Sequence, residues 1–495
     1  MGVIKKQTVR NTAYTYLGVL IGFVTTGLLF PRFLTTSENG LLKLLVSYSM
    51  VFGQLATLGM SNVTIKFFPY FRDRGKKHHG YLTFILLMSL VGFALFLGLF
   101  FLLQPWIIAP GAGKEGADLF AGYITVIIPL TFFTLLFNNL DAYLRAFYKT
   151  VSGSFLKEVI QRAMVLLCIS LYIAGFVGFK GFVVLYSIAL CTPSMIMLGL
   201  IVASNEFLLS RAMTFKNLVV TNDMIKVAFF GLVTGFSYLA IINIDSIMIN
   251  HIVGTSLTGI YAITSYFGAL VSIPSRGFVR IGASVIANAF KENDLDTIGD
   301  IYHRSCLTQF VIGVLILLGL WLNIDNVFQV LPSSYLPGKY VILFIGISNL
   351  IVMGGGANTI IIANSPFYKF SAYATVLLVV LTVLFNWMFI PLYGISGAAF
   401  ASALSMFTFN LVKFLIIYIK LRLHPYDLKF VYTLGIGLIV YFLVSALPQL
   451  PNLFLNIIWI SGVTTVLFLV PVLVFKISPD VNDMYRKALK RIPWK

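Results

Sequence analysis

Charge is scarce in this sequence, and negative charge scarcest of all. Asp and Glu number 17 against 35 Lys and Arg, and the four types together make 11% of 495 residues. Soluble domains carry about a quarter of their residues as charges, so a water-facing surface is excluded for most of the chain. Cysteine is nearly absent. Cys168, Cys191 and Cys306 lie in or at the ends of apolar segments; their spacing fits no metal motif and no disulfide framework, so they read as small packing residues. Convergent catalytic groups are lacking too. There is no acidic doublet at metal spacing, no His-Glu-x-x-His and no long connection able to hold a reaction centre, so an enzyme is not expected. No ATP-binding loop occurs, and no repeated element of an ion-channel filter.

Long apolar runs fill the chain instead. Apolar residues make 59% of it and the mean hydropathy is +0.94. Runs of roughly 20 residues suit helices that cross a bilayer, and the sequence divides into fourteen: 11–31, 41–65, 81–104, 119–140, 159–177, 181–203, 226–248, 257–279, 304–323, 338–362, 370–390, 395–419, 430–447 and 454–475. The expected fold is an all-α polytopic membrane protein with about 14 transmembrane helices. The first span lacks a small-x-small cleavage site and a ladder of spans follows it, so it is expected to stay. Met1-Gly2 resembles a myristoylation start, but Lys6 stands where Ser or Thr is needed.

The cations fix an orientation. Of the 35 Lys and Arg, only Arg32, Lys43, Lys114, Lys180 and Lys339 fall on or near one set of alternate connections; the other thirty fall on the opposite set. Lys and Arg are retained on the cytoplasmic side of short loops, so both termini are expected in the cytoplasm. Topology thereby explains the net charge of +18, and nucleic acid is not an expected partner. The basic tail, 476–495, is expected to attract anionic lipids of the inner leaflet. Lys76-Lys77-His78-His79 reads as a solvated loop.

Two halves resemble each other. Thr36-Ser37-Glu38-Asn39-Gly40 after span 1 matches Thr255-Ser256-Leu257-Thr258-Gly259 after span 7. Phe147-Tyr148-Lys149 recurs as Phe367-Tyr368-Lys369, and Gly178-Phe179-Lys180-Gly181 as Gly394-Ile395-Ser396-Gly397. Six spans per half keep the same orientation, so the relating axis runs along the membrane normal. The expected organisation is two pseudo-symmetric six-helix lobes, 1–220 and 221–425, an appended helix pair in 426–475 and a basic cytoplasmic tail, 476–495.

Polar residues aligned on a span must face protein or a wet cavity. Asn11, Thr15, Gly18, Gly22 and Thr25 share a face of span 1; Lys43, Ser47, Gln54, Thr57 and Ser61 share one of span 2. Thr234, Tyr238 and Asp245 align on span 7, and Tyr261, Thr264, Gly268, Ser272 and Arg276 on span 8. Two readings stay open: close packing through small residues, or the lining of a path. Asp141 and Arg145 are four apart, an ion pair at the inner boundary or a headgroup site. Arg276 and Arg280 offer two cations to a diphosphate, or snorkel to the interface. Few cations lie deep in a span, Lys43 chiefly and Lys413 next. Gly354-Gly355-Gly356, Pro129, Pro193 and Pro274 can bend their helices.

Three stretches carry a family resemblance. Asn11 with the polar first span, then Pro31-Arg32-Phe33-Leu34 and Gly40, resembles the start of polysaccharide flippases of the multidrug/oligosaccharidyl-lipid/polysaccharide superfamily. Asp245, Gly254, Gly259 and Tyr261 resemble that family's pattern leaving span 7, and Pro391-Leu392-Tyr393-Gly394-Ile395-Ser396-Gly397 its entry to span 12. The resemblance implies a transporter in the bacterial inner membrane that flips undecaprenyl-diphosphate-linked oligosaccharide for O-antigen, capsule or exopolysaccharide, beside a polysaccharide polymerase and other assembly proteins. A lipid II flippase is the runner-up and a multidrug antiporter the third reading. Residues expected to meet substrate are Arg32, Lys43, Gln54, Ser61, Arg145, Tyr238, Asp245, Ser272, Arg276 and Arg280. No cofactor is expected; a coupling ion, Na+ or H+, stays open, with Asp245 its candidate site.

Overall fold

The computed structural model describes the backbone of residues 2–108, 113–147, 151–210 and 218–489, and the side chains of 10–108, 113–147, 151–210, 222–275 and 285–487. Regular structure in those residues is entirely helical. Ten helices are long and apolar enough to cross a membrane, and eleven if the pair Thr36–Ala56 and Met60–Phe71, bent by 42°, is one span. Three more spans hide in merged or broken helices. The 53-residue helix Lys369–Leu421 is two spans joined at Gly394, whose φ of +58° and ψ of −136° are open to glycine but strained for any side chain. Span 5 is broken by the π-helix Leu156–Ile160 between Val151–Phe155 and Gln161–Ile173. Span 8 is broken by the 3₁₀ turn Leu270–Ser272 between Thr255–Ala269 and Ser275–Glu292. Among the described residues the spans therefore number the fourteen expected.

The chain forms two compact units, Met1–Ile263 and Thr264–Lys495. In the first, aromatic side chains of spans 2, 3 and 4 interlock: the ring centroid of Phe52 lies 5.3 Å from that of Phe96, and that of Phe93 4.9 Å from that of Phe132. Lipid tails are as apolar as leucine, so close packing and interhelical hydrogen bonds hold such a unit together rather than water exclusion. Buried polar chains supply them. Ser61 Oγ donates to Asn139 Oδ1 at 3.0 Å, and Asn139 Nδ2 to Ser89 Oγ at 2.9 Å, tying spans 2, 4 and 3.

The second unit docks span 14 on the end of span 9 by the same device. Asn456 Nδ2 donates to Asn326 Oδ1 at 2.9 Å, Asn326 Nδ2 to Asn323 Oδ1 at 3.0 Å, and Asn323 Nδ2 to Ser461 Oγ at 3.1 Å. Each bond of this kind is worth about 0.6 kcal/mol in a membrane. Span 9 begins at a cap outside the membrane: the Thr297 hydroxyl and then its backbone N–H donate to Asp294 and hold that carboxyl below the usual range. A short helix, Pro479–Leu489, follows span 14.

One expectation fails. His78 is not in a solvated loop; it is 2% exposed, and its Nε2 lies 3.0 Å from Glu206 Oε2. Lys77, His78 and His79 all have positive φ, at 48°, 50° and 52°, which turns the loop back beneath the bundle. There His78 meets the edges of Phe68 and Phe147, with ring centroids 5.4 and 5.5 Å away.

Candidate functional site

The polar centre of the first unit is built on span 2. A capping box starts that helix: Thr35 Oγ1 accepts from the Glu38 N–H at 3.2 Å, and Glu38 Oε2 accepts from the Thr35 N–H at 2.8 Å. Lys43 follows two turns into Thr36–Ala56. It is half-buried, and its Nζ reaches Asn243 Oδ1 of span 7 at 3.5 Å, a long and weak bond. Two residues on, Asp245 is 7% exposed and accepts from the Tyr261 hydroxyl at 2.7 Å; its carboxylate acts on Lys43 electrostatically. Tyr48 Oη sits 3.0 Å from His251 Nε2. Lys43 with Asn243, Asp245 with Tyr261 and Tyr48 with His251 thus form three polar pairs among spans 2, 7 and 8.

At one end of this cluster the chain seals itself. Thr36 and Ser256 hydroxyls lie 2.8 Å apart. A Cβ on Gly40 would collide with the Thr255 carbonyl, and one on Gly259 with the Thr36 carbonyl. These are the two copies of the repeated motif, and each copy's threonine faces the other copy's glycine. The contact is self-complementary in the manner of a two-fold interface, and it admits no side chain larger than hydrogen. Toward the other end span 2 runs along span 7, with Gln54 pressed where a Cβ on Gly235 would stand and Gly59 against the Ala228 carbonyl.

The remaining expected site residues separate. Arg32 is exposed on Phe30–Phe33. Tyr238 is 63% exposed on span 7. Arg145 pairs with Asp141, a carboxylate only 5% exposed that lies against Gly153. Lys157 Nζ is stationed 4.3 Å from the Phe137 ring, within the field of Asp141. Ser61 belongs to the interhelical chain described above. Ser272, in the second unit, donates to the Ala269 carbonyl at 3.1 Å. The side chains of Arg276 and Arg280 lie outside the described residues, as do those of Tyr148, Lys149, Arg211, Lys216, Lys490, Arg491 and Lys495.

The small-residue face of span 1 is used for packing. A Cβ on Gly18 would meet the Glu158 carbonyl, and Arg162 Nη1 donates to the Gly18 carbonyl at 2.7 Å. In the second unit Lys413 is 5% exposed. Its Nζ donates to Thr359 Oγ1 at 2.8 Å and Asn358 Oδ1 at 3.4 Å, and lies 3.8 Å from the Phe409 ring centroid. An apolar crevice of about 190 Å³ opens in the first unit beside the break in span 2, lined by Leu58, Met60, Val63, Phe84, Met88 and Met224. Sequence reasoning did not find it, because the break at Leu58 and Gly59, with φ of 49° and 73°, is marked only by one glycine. Among the described residues no three His, Cys, Asp or Glu side chains gather as a metal site.

The fold is similar to that of solved membrane-transport proteins, among them structures described as MOP-superfamily transporters. Against a structure of the lipid II flippase MurJ in an inward-closed conformation the TM-score is 0.73 at 12% identity, covering 94% of this chain and 98% of that one. An inward-facing multidrug-resistance transporter of the MATE family gives 0.65 at 14% identity, over 83% of this chain and 94% of that one. A MOP-superfamily transporter from Pyrococcus furiosus, described as having a binding pocket of reversed polarity, gives 0.54 at 14% identity, over 84% and 96%. No family model matches the sequence, and no curated protein matches it.

Proposed function

We propose that the chain is a flippase of the bacterial inner membrane, carrying undecaprenyl-diphosphate-linked oligosaccharide from the inner to the outer leaflet by alternating access, with both termini in the cytoplasm. The observation that carries this reading is that one helix offers both halves of an amphiphile's site. Span 2 holds Lys43, a cation with a single long hydrogen bond, and fifteen residues on, at Leu58, it lines the apolar crevice. At 1.5 Å per residue those features stand about 22 Å apart, a separation that suits an anionic head and an apolar chain. In the first unit Asp245 stands beside Lys43 on the polar side, and Gln54 and Ser61 are assigned to holding its walls; substrate contact by Arg32, Arg145, Tyr238, Ser272, Arg276 and Arg280 stays a proposal from the sequence.

Two repeat lobes, 1–220 and 221–425, fit this mechanism, and the seam between Thr36–Gly40 and Thr255–Gly259 supports a state closed toward the outside. The positive-inside pattern supports that orientation. The lipid-linked cargo is favoured over a soluble drug by coverage: the likeness to the flippase extends over 94% of this chain and that to multidrug-resistance MATE transporters over 83 and 84%, a shortfall the size of spans 13 and 14. Lipid II is the second reading, favoured by the breadth of that same likeness. Reconstituted vesicles with defined lipid-linked sugars separate the cases. Flipping of an undecaprenyl-diphosphate oligosaccharide, and not of lipid II, is expected; flipping of lipid II alone would establish the second reading, and movement of neither would overturn both.

A further inference from the structure

Beside the break of span 10, between Lys339–Gly354 and Asn358–Asn364, the second unit holds a pocket of about 630 Å³ with a largely apolar wall and several polar side chains, which neither Lys43 nor the crevice accounts for. It lies within the size range of small-molecule sites, roughly 300–1,000 Å³. Its walls are the start of span 9, the broken part of span 10 and the C-terminal helix Pro479–Leu489. The geometry is locked. Gly356, at φ +51°, sits where a Cβ would strike Cys306, and the Ala357 N–H donates to Ser305 Oγ at 3.1 Å. The C-terminal helix is fastened by Arg304 to Asp480, by Thr308 Oγ1 to Asp480 Oδ2 at 3.2 Å, and by Thr308 to Ser478 at 2.9 Å.

What is left unsatisfied there points to a ligand. Gln309 is 3% exposed, lines the pocket and makes no hydrogen bond among the described residues. Its amide opens onto the pocket rather than being sealed in the protein, so its oxygen and nitrogen are both free to pair with a group that enters there. Asp483 and Lys487, one helical turn apart on the pocket rim, form no ion pair with each other or with any other described residue. Arg304 is already held between Asp480 and Asp300, the latter at 3.5 Å.

These residues discriminate between ligand classes. An anion would face Asp300, Asp480 and Asp483; a cation would face Arg304 and Lys487; a wholly apolar molecule would leave Gln309 and Asp483 unpaired. A neutral molecule rich in both donors and acceptors satisfies all of them, while Ile301, Ile360 and Met484 provide the apolar patch against which a sugar's C–H face can rest. The geometry points to a binding site for a neutral carbohydrate at the C-terminal end of the second unit. Gln309 supplies both halves of its amide, Asp483 accepts from hydroxyls and Lys487 donates to them. The site stands apart from the transport reading, since binding of a free sugar involves no flipping and either can fail alone.

Saturation-transfer NMR tests it on the full-length chain purified in an amine-oxide detergent that carries no sugar. Glucose, galactose, N-acetylglucosamine and maltose are added singly at millimolar concentration, with inorganic phosphate and spermidine as charged competitors. At least one sugar is expected to show transfer, with the signal reduced at least fivefold in Gln309→Leu and at least twofold in Asp483→Asn, and unaffected by either competitor. No transfer from any of the four sugars, or transfer equal in both variants and the parent, overturns the proposal. Displacement by phosphate or by spermidine overturns it too, in favour of an ion site. Asp483 is exposed, so Asp483→Asn carries the test alone if Gln309→Leu fails to fold.

Discussion

Two membrane-embedded lysines, one in each compact unit, are solvated in opposite ways. Lys413 is 5% exposed and complete, with two hydroxyl or amide oxygens and an aromatic face around its ammonium. Lys43 is half-buried, holds one amide oxygen at 3.5 Å and has the Asp245 carboxylate nearby. A cation surrounded by fixed neutral dipoles has no room for a new partner. A cation with one long bond can exchange it for an incoming anion at little cost, and hydrogen bonds to charged groups are worth about 1.5–3 kcal/mol. On this contrast we propose the first as architecture and the second as ligand contact.

Four experiments break or sharpen that contrast. The largest effect is expected from Lys43→Ala, which should lower flipping at least tenfold, equivalent to roughly 1.4 kcal/mol, with folded yield unchanged by gel filtration; Lys413→Met should flip within about threefold of the parent, because replacing a buried charge by an apolar side chain of similar volume is often neutral or stabilising. Equal losses in the two variants would erase the distinction. Next, Gly40→Ala or Gly259→Ala should hold the seam apart and increase labelling of a cysteine at position 43 by an impermeant reagent added outside; unchanged labelling would show that the seam is no barrier. Asp245→Asn keeps the Tyr261 bond and removes the charge beside Lys43, so flipping at different Na+ and H+ gradients should lose its ion dependence; an unaltered dependence leaves Asp245 a structural role. The smallest effect belongs to Ser61→Ala, which removes one interhelical bond and should cost about 0.6 kcal/mol in thermal stability while leaving transport unchanged.

Span number and order were legible because a membrane demands runs of fixed length, and the alternation of cations follows from the same solvent. Gly394 and Gly354-Gly355-Gly356 marked real breaks, since glycine in a helix weakens it wherever it falls. The π-helices Phe23–Leu29 and Leu156–Ile160 were not legible; one extra residue per turn leaves no trace in an apolar pattern. His78 was missed for a related reason. Its neighbours Lys76, Lys77 and His79 carry no apolar period, and its burial depends on Glu206, 128 residues away. The repeat of Thr36–Gly40 in Thr255–Gly259 could be read from sequence. That the copies touch each other could not, because a period along a chain says nothing about where its members meet. Of the polar stripes, the one on span 1 serves helix contact at Gly18, and the one on span 2 carries Lys43 to Asn243 of span 7.

The seam between the two motif copies is made of backbone carbonyls, hydrogen-only positions and two hydroxyls. The contacts that close it are uncharged among the described residues, and Glu38, the ionisable side chain within the first copy, is turned to the Thr35 N–H that caps span 2. On the flippase reading proposed above, this seam then parts as a zip, drawn open by the helices that carry its two halves.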